Sequence, residues 1–223
     1  LLVGVINSVG SRRDAKALDN LTKLVGDADL DVAAAAAAAI GRIGTSAAAR
    51  ALQQTLSSGP RPLRPAAAEA CLACAEHLLA QGKRDEAVSL YDDVRRADLP
   101  GHIQAAAMRG AIVARQAAGV PLLVEKLHGG EPVSFAVALG PAREIPGPDV
   151  TQALVAQLSK LPPNRQALVI GALADRGDRS ALPAVLEAAR AGPAEVRAAA
   201  IRALGRLGDA SAVPVLLDAA THA

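Results

Sequence analysis

One spacing, of about 31 residues, recurs along this chain and is the feature that most constrains its fold. Its clearest copy is the segment 195–217, in which an alanine-rich run ends at Gly208-Asp209 and Pro214 follows. The same order occurs one period earlier, where Gly177-Asp178 is followed by Pro183. A fixed period of this size is typical of tandem repeats that stack side by side. The period therefore predicts an elongated array of repeats, in place of a globule with one central core.

Each repeat has the pattern of two helices joined by a tight turn. Val196, Ala200 and Leu204 have the spacing of one helix face, which predicts a first helix. Gly208 is expected to end this helix in the left-handed conformation, and Asp209 is expected to cap the second helix. The predicted buried stripe of the second helix consists of Val213, Leu216, Leu217 and Ala220.

Counting the period in both directions predicts seven helical pairs in a single array over residues 1–223. The predicted repeats cover about 1–29, 30–60, 61–100, 101–131, 132–163, 164–193 and 194–223. The third repeat is longer than the others, and the first step, from Ile6 to Ile40, is also expected to exceed the period. Hydrophobic residues make up 51% of the chain and aromatic residues 1%. Because alanine dominates the apolar set, we expect thin, closely packed helices and almost no strand.

The first residues, Leu1 to Ile6, are apolar, although the end repeat of a free-standing array usually needs a polar outer face. We therefore expect the chain to be a segment of a longer protein. No apolar run approaches the roughly 18 residues that a membrane-spanning helix needs. This predicts a soluble protein without a membrane partner, and the compartment, cytoplasm or periplasm, stays unknown.

The order Val196-Arg-x-Ala-Ala, Ala-Leu-Gly-x-Leu-Gly-Asp209 and Ala212-Val-Pro-x-Leu-Leu217 resembles the short HEAT-like repeat of the phycobilisome-lyase type. The resemblance covers 194–220, 164–190, 101–128 and 30–56, and prolines interrupt it within 132–160. The segment Gly82 to Tyr91, with Leu99-Pro100, resembles the second half of a tetratricopeptide repeat, which implies longer helices there. The resemblance implies an all-α fold, a right-handed α-α superhelix or solenoid of about seven helical pairs.

Repeat families of this kind are chiefly interaction scaffolds. The resemblance therefore implies a non-catalytic scaffold or adaptor module within a larger bacterial protein, with a protein or peptide partner and no cofactor. Two alternatives stay open. The phycobilisome-lyase relationship implies a lyase or an accessory enzyme subunit, and some HEAT-like arrays bind nucleic acid. The sequence leaves the oligomeric state open.

Three acidic residues share one position in the predicted second helices, and apolar residues lie three positions before them. Together they form a candidate binding surface on the inner, concave face, which we call the acidic strip: Leu122, Glu125, Ala184, Glu187, Val215 and Asp218. An apolar strip rimmed by charge can bind a peptide. A solvated helix position that favours glutamate, beside half-exposed packing residues, explains the same pattern without a ligand.

Cys71 and Cys74 form a C-x-x-C motif, which is typical of redox pairs and of half a zinc site. The chain has no second such motif, and the period places both cysteines where other repeats have Ile40 and Ile43. Buried cysteine behaves as a small apolar residue, so we predict core positions. HEAT-like arrays include a di-iron hydroxylase that uses His-Glu pairs, but only the reversed Glu76-His77 occurs here. We therefore predict no metal.

The charge pattern argues against a nucleic-acid partner. The formal net charge is +2, and acidic residues interrupt the basic ones. The chain has no tryptophan and only Tyr91 and Phe135 as aromatic residues, so stacking platforms and a continuous phosphate track are missing. Glycine loops for nucleotides and serine-nucleophile motifs are also missing, so we predict no catalytic residues.

Overall fold

A computed structural model describes residues 1–129 and 132–221, and within these ranges the chain forms fourteen α-helices and no strand. The all-α fold class is therefore confirmed. The helices are α1 (Leu2–Ser11), α2 (Leu18–Leu24), α3 (Leu30–Ile43), α4 (Ser46–Ser58), α5 (Arg64–Ala80), α6 (Arg84–Arg96), α7 (Gly101–Arg115), α8 (Val120–Leu127), α9 (Pro132–Glu144), α10 (Pro148–Gln157), α11 (Pro163–Arg176), α12 (Leu182–Ala191), α13 (Ala194–Leu207) and α14 (Val213–Thr221). Odd-numbered helices are the first helices of hairpins and even-numbered helices are the second.

The helices form two compact units, unit 1 (Leu1–Arg115) and unit 2 (Gln116–Ala223). Within unit 1, α3 packs against both α1 and α5; within unit 2, α13 packs against α11 and α12. Residues 130, 131, 222 and 223 of the predicted repeats lie outside the described part of the chain. That residues 1–223 form a single array stays a prediction.

Glycine and alanine let the first helices of unit 1 approach closely. A Cβ atom added to Gly10 would lie 2.8 Å from the Cα atom of Ala39. One period later, a Cβ atom on Gly41 would lie 2.6 Å from the carbonyl oxygen of Ala70. Real Cβ atoms do not approach backbone atoms so closely, so these sites accept only glycine without a backbone shift. This contact explains why the first helices are so rich in small residues.

The turns show that the first repeat has the same period as the others, so the longer first step predicted from Ile6 to Ile40 is wrong. Arg13 has a φ of 53° and Gly44, one period later, has a φ of 63°. Asp14 caps its helix by accepting from the backbone N–H of Lys16, and Thr45 accepts from that of Ala48. The apolar pattern of α1 misled the alignment because several neighbouring positions are apolar.

Two details of the last repeat differ from the prediction. Gly208 has a φ of −64° and a ψ of 154°, so it ends α13 in extended backbone, whereas Gly177 ends α11 in the left-handed conformation. The predicted buried stripe of α14 is largely open, with Val213 50% and Leu217 62% exposed. The same positions in α12 are buried: Leu182, Val185, Leu186 and Ala189. Helix α13, the first helix of the following repeat, packs against α12. The apolar stripe of α12 is therefore buried by the following repeat and not by its own hairpin.

An arginine closes the repeat that prolines interrupt. Pro146 stands one period before Gly177, the glycine that ends α11. Arg176 donates to the carbonyl oxygens of Ala142, Ile145 and Gly147 and to the hydroxyl of Thr151. The chain turns at Gly147, whose φ is 93°. One side chain of α11 thus satisfies the free carbonyl groups between α9 and α10.

Helix α5 lies just before the segment Gly82 to Tyr91 that resembles a tetratricopeptide repeat, and it has 17 residues, whereas α3, α11 and α13 have 14. Helix α6, which contains most of that segment, has 13 residues, as α4 has. Longer helices were expected in this repeat, and of its two helices α5 has the extra turn. None of the described helices combines the length and apolar composition needed to cross a membrane.

Candidate binding groove

Three helices of unit 2 enclose an open groove of about 540 Å³, which we call the α12/α14 groove. Its floor is one face of α13, and its walls are the last turn of α12 and one face of α14. The lining residues are Ala189, Arg190, Ala194, Arg197, Ala198, Ile201, Pro214, Val215, Asp218 and Ala219. The volume is in the range of pockets that bind ligands in proteins.

The spacing of residues along α13 produces the floor. Ala194, Arg197, Ala198 and Ile201 follow each other at intervals of three, one and three residues, which places them on one helix face. A neighbouring face of the same helix is buried against the hairpins, and it includes Val196, Ala200 and Leu204. The helix is therefore held by its buried face while the adjoining face is available to a ligand.

The floor is the face of α13 that corresponds to the face of α11 on which α13 packs, since Ile170, one period before Ile201, is buried. The ends of the second helices differ between two pairs. At the ends of α8 and α10, the Nε2 atom of His128 lies 2.9 Å from the Oε1 atom of Gln157, within hydrogen-bond distance. Two periods later, the corresponding positions are Arg190 and Ala219. The side chain of Ala219 has no hydrogen-bonding atom, so this bridge between the two helices cannot form.

The groove combines apolar surface with charges of both signs. Val215 is buried and Ile201 half-buried, and the exposed side chains of Arg190 and Arg197 stand at its edge. Nη1 of Arg197 donates to the carbonyl oxygen of Gly192 at 3.3 Å. Guanidinium groups bind carboxylates with two parallel hydrogen bonds. The groove therefore has the groups to receive an aliphatic side chain and a carboxylate side by side.

The structure places the acidic strip on the second helices α8, α12 and α14. Glu125, Glu187 and Asp218 are all exposed, and Ala156 holds the same position in α10. Among the apolar members, Leu122 and Ala184 are half-buried and Val215 is buried. Glu125 forms an ion pair with Lys126 at 3.0 Å.

Only Val215 and Asp218 of the strip line the groove. The sequence analysis missed Arg190, Arg197 and Ile201, which line it with them. The sequence contained a signal for Arg197. This arginine occupies, in the first helix α13, the position that Ala33 holds in the first helix α3.

Both cysteines lie in the core of unit 1. The side chains of Cys71 and Cys74 are fully buried and not bonded to each other as a disulfide. Burial raises the pKa of each thiol to about 12, and for Cys71 the neighbouring Cys74 adds to the effect. A thiol of this pKa is protonated at neutral pH, whereas redox chemistry and zinc binding use the thiolate. In the described part of the chain, His, Cys, Asp and Glu side chains form no group of three or more that could hold a metal ion.

The hairpins define a helical repeat protein. The family model for HEAT repeats matches residues 3–73 and 151–223, more than half of the chain. The chain therefore belongs to the HEAT repeat family. A search of curated proteins found no match to it.

Several solved structures are similar to this chain. Human deoxyhypusine hydroxylase in complex with glycerol is 20% identical over 92% of this chain and 78% of that chain, with a TM-score of 0.44. An engineered protein is 20% identical over 85% of this chain and 96% of its own, with a TM-score of 0.47. YibA of E. coli is 18% identical over 98% and 90%, with a TM-score of 0.41. At these values the likeness carries no argument about activity.

Proposed function

We propose that this chain is a non-catalytic protein-binding module, which holds a partner protein or peptide on the second helices of unit 2. The α12/α14 groove carries the proposal. It is open, of ligand-binding size, and lined by seven apolar and three charged residues. This mixture is typical of the surfaces on which proteins bind each other.

The acidic strip extends the proposed surface beyond the groove. Glu125 and Glu187 are exposed on α8 and α12, at the same helix position as Asp218 in the groove wall. HEAT-type repeats bind through surfaces that several repeats share, so contact at several second helices suits this family. We propose that a partner contacts the strip along unit 2, and that both units belong to one repeat array.

Photo-crosslinking tests this proposal. A photoreactive phenylalanine analogue is placed at Glu187, at Asp218 or, as a control, at Arg202 on the first helix α13. All three positions are exposed. In cells that produce the full-length protein, we expect the first two variants to crosslink to the same protein and the Arg202 variant not to do so.

Equal crosslinking at Arg202, or none at Glu187 and Asp218, would overturn the proposal. Two further measurements address the alternatives. Visible absorbance of the purified protein would favour a lyase-type or accessory role with a bound pigment. Retention on heparin that falls steeply with salt would favour nucleic-acid binding.

A further inference from the structure

A small open cavity of about 190 Å³ lies in unit 1, beside the start of α5; we call it the α5 cavity. The following repeat is in place here, because α7 packs against both α5 and α6. The cavity is smaller than the roughly 300–1,000 Å³ of pockets for drug-sized molecules, so it suits a ligand of a few heavy atoms. Its lining comes from the start of α5 and from the connection between α6 and α7: Arg61, Arg64, Pro65, Asp98 and Leu99.

Two arginines stand at the start of α5, where the helix dipole disfavours positive charge. Arg61 lies in the short 3-10 helix that leads into α5, and Arg64 is the first residue of α5. The first turns of α3 and α13 carry acidic residues instead, Asp31 and Glu195. Because the N-terminus of a helix is its positive end, the dipole and both guanidinium groups favour an anion in the α5 cavity.

The protein supplies no partner for these arginines. In the described part of the chain, no hydrogen bond or ion pair engages the side chains of Arg61, Arg64 or Asp98. The Nε atom of Arg64 is shielded from water and also lacks a hydrogen-bond partner. Such groups are rare in folded proteins, because water has been removed and nothing replaces it. A ligand in the cavity can bind the outer nitrogens of the guanidinium groups.

Comparison between repeats shows that Arg64 differs from its equivalents. In four repeats a proline stands just before the first helical turn, and a polar residue lies four positions after it. In the repeat of Pro60, this residue is Arg64, which makes no hydrogen bond to the described residues. In the three others, the polar side chain donates to a carbonyl oxygen of the preceding connection: Gln104 to Ala97 at 2.9 Å, Gln166 to Leu161 at 2.7 Å and Arg197 to Gly192 at 3.3 Å.

We propose that the α5 cavity binds an α-carboxylate whose neighbouring nitrogen donates a hydrogen bond. A small α-amino acid has this chemistry, and so has the C-terminal residue of a peptide. Arg61 and Arg64 receive the carboxylate, since guanidinium groups bind carboxylates with paired hydrogen bonds. Asp98 accepts from the nitrogen. Pro65 and the buried Leu99 give an apolar surface for a short side chain.

The acidic residue of the cavity decides between classes of anion. Asp98 lines the same small space as the two arginines, so it repels a ligand that carries negative charge alone, such as phosphate. A ligand with a nitrogen donor beside its carboxylate turns this repulsion into a hydrogen bond. The site lies in unit 1, so its test is independent of the partner surface proposed on unit 2.

Nuclear magnetic resonance titrations of the full chain test the ligand. The probes are L-alanine, propionate, which lacks the nitrogen, and ethylamine, which lacks the carboxylate. We expect alanine to shift amide signals within residues 61–66 and 97–101. We expect it to bind at least about threefold more tightly than propionate and about tenfold more tightly than ethylamine. Equal binding of the three probes, or no binding of alanine at these residues, would overturn the inference.

A fourth probe, N-acetylalanine, distinguishes the two sources of this chemistry. Its amide N–H resembles that of a C-terminal residue, and it has no ammonium group. Binding as tight as that of alanine would assign the cavity to the C-terminus of a peptide. Binding as weak as that of propionate would assign it to a free amino acid.

The substitution Arg61→Glu separates binding from folding. It is expected to weaken alanine binding by about tenfold or more, because it places a second carboxylate in the cavity. It is also expected to raise the midpoint of thermal unfolding by roughly 1–4 °C, because an acidic residue suits the start of a helix. Unchanged binding would overturn the inference, and so would a lower midpoint, which would show that Arg61 serves the fold.

The substitution Arg64→Gln gives this repeat the side chain that Gln104 and Gln166 have at the same position. We therefore expect the variant to fold and to bind alanine about tenfold more weakly. Arg50→Gln is the matched control, because Arg50 is an exposed arginine of α4 that does not line the cavity. Unchanged binding in Arg64→Gln, or an equal loss in the control, would overturn the inference.

Discussion

Helices α3 of unit 1 and α13 of unit 2 carry the same sequence pattern but have different surroundings. Both end in Gly-Arg followed by an aliphatic residue and glycine. In α3, Ala33 and Ala37 are buried, whereas the equivalent residues of α13 are the exposed Arg197 and the half-buried Ile201. Ile170 of α11, one period before Ile201, is also buried, so this face is closed where another first helix packs against it, as α5 does on α3 and α13 on α11.

The second helices of the two units also differ, in the polar contacts between neighbouring second helices. In unit 1, Nε2 of Gln53 on α4 donates to the hydroxyl of Ser89 at 3.1 Å and to a carboxylate oxygen of Asp93 at 2.6 Å, both on α6. In unit 2, Ala219 and Arg190 both line the α12/α14 groove. Gln53 stands one helix turn before the position that Arg190 holds, so polar side chains at more than one helix position can bridge neighbouring second helices.

The largest effect is expected when the arginine of α13 is moved into α3. Ala33 is 1% exposed, so Ala33→Arg forces a charge into the core of unit 1. An uncompensated buried charge costs about 3–5 kcal/mol, which is comparable to the stability of a small unit. We expect unit 1 to unfold or to lose most of its stability in urea titrations followed by circular dichroism.

The reverse change, Arg197→Ala, is the control and should alter stability by less than about 0.5 kcal/mol, because Arg197 is exposed. Similar costs for the two substitutions would show that α3 and α13 do not differ in the way described.

A smaller effect is expected from the arginine that closes the interrupted repeat. Arg176→Met leaves the carbonyl groups of Ala142, Ile145 and Gly147 without their donor. We expect a loss of about 2–3 kcal/mol, since hydrogen bonds to charged groups are among the stronger ones. Hydrogen exchange should become faster in residues 142–151. The control Arg179→Met changes an exposed residue nearby and should leave the exchange rates as they are.

Two glycines hold the same repeat position in different helices, and replacing each by alanine is expected to change the stability of the protein in opposite directions. Gly41→Ala brings a methyl group against the backbone of Ala70 and should cost about 1–3 kcal/mol. At Gly205, the equivalent position of α13, an added Cβ atom meets nothing within 4 Å. Gly205→Ala should therefore stabilise the protein by about 0.5–1 kcal/mol, through helix propensity alone. Denaturation midpoints measure both, and equal signs would contradict the difference in packing.

The smallest effect concerns an ion-pair ladder on the first helices of unit 2. Hydrogen bonds from Arg143 and Arg206 lower the pKa of Asp175 from its ordinary value of 3.8. Because the folded pKa is below the unfolded one, the stabilisation is present above pH 3.8 and is lost as the pH falls through the folded pKa.

Asp175 is 35% exposed, so solvent screening keeps the contribution below about 1 kcal/mol. Asp175→Asn should remove this part of the acid dependence and leave unit 1 unchanged. Stability curves that are separate above pH 5 and converge as the pH falls would agree with this prediction, and a constant separation at every pH would contradict it.

The repeat period predicted the family and the paired helices well. First helices begin at Leu30, Gly101 and Ala194, close to where the period placed new repeats. The core positions of Cys71 and Cys74 also follow from register alone, since aliphatic residues hold the same positions elsewhere. The first step was misjudged because α1 offers several apolar residues, and the turn at Arg13 and Asp14 reveals its register.

The candidate site was predicted only in part. Val215 and Asp218 line the groove, but Arg190 and Arg197 belong to other helix positions and were missed. The stripe of Val213 and Leu217 was expected to be buried because the same positions are buried in α12. A stripe is covered by the neighbouring repeat, so the pattern of one repeat cannot state whether it is buried.

The sequence by itself determined the helices and their pairing, because helix periodicity, capping residues and glycine turns all act within a single repeat. Only the tertiary structure decided which pairs of second helices are bridged and which leave a groove. That outcome depends on which helix of a successive repeat packs on each face: Ile170 of α11, which packs against α13, is buried, whereas Ile201, one period later, is half-buried and lines the groove.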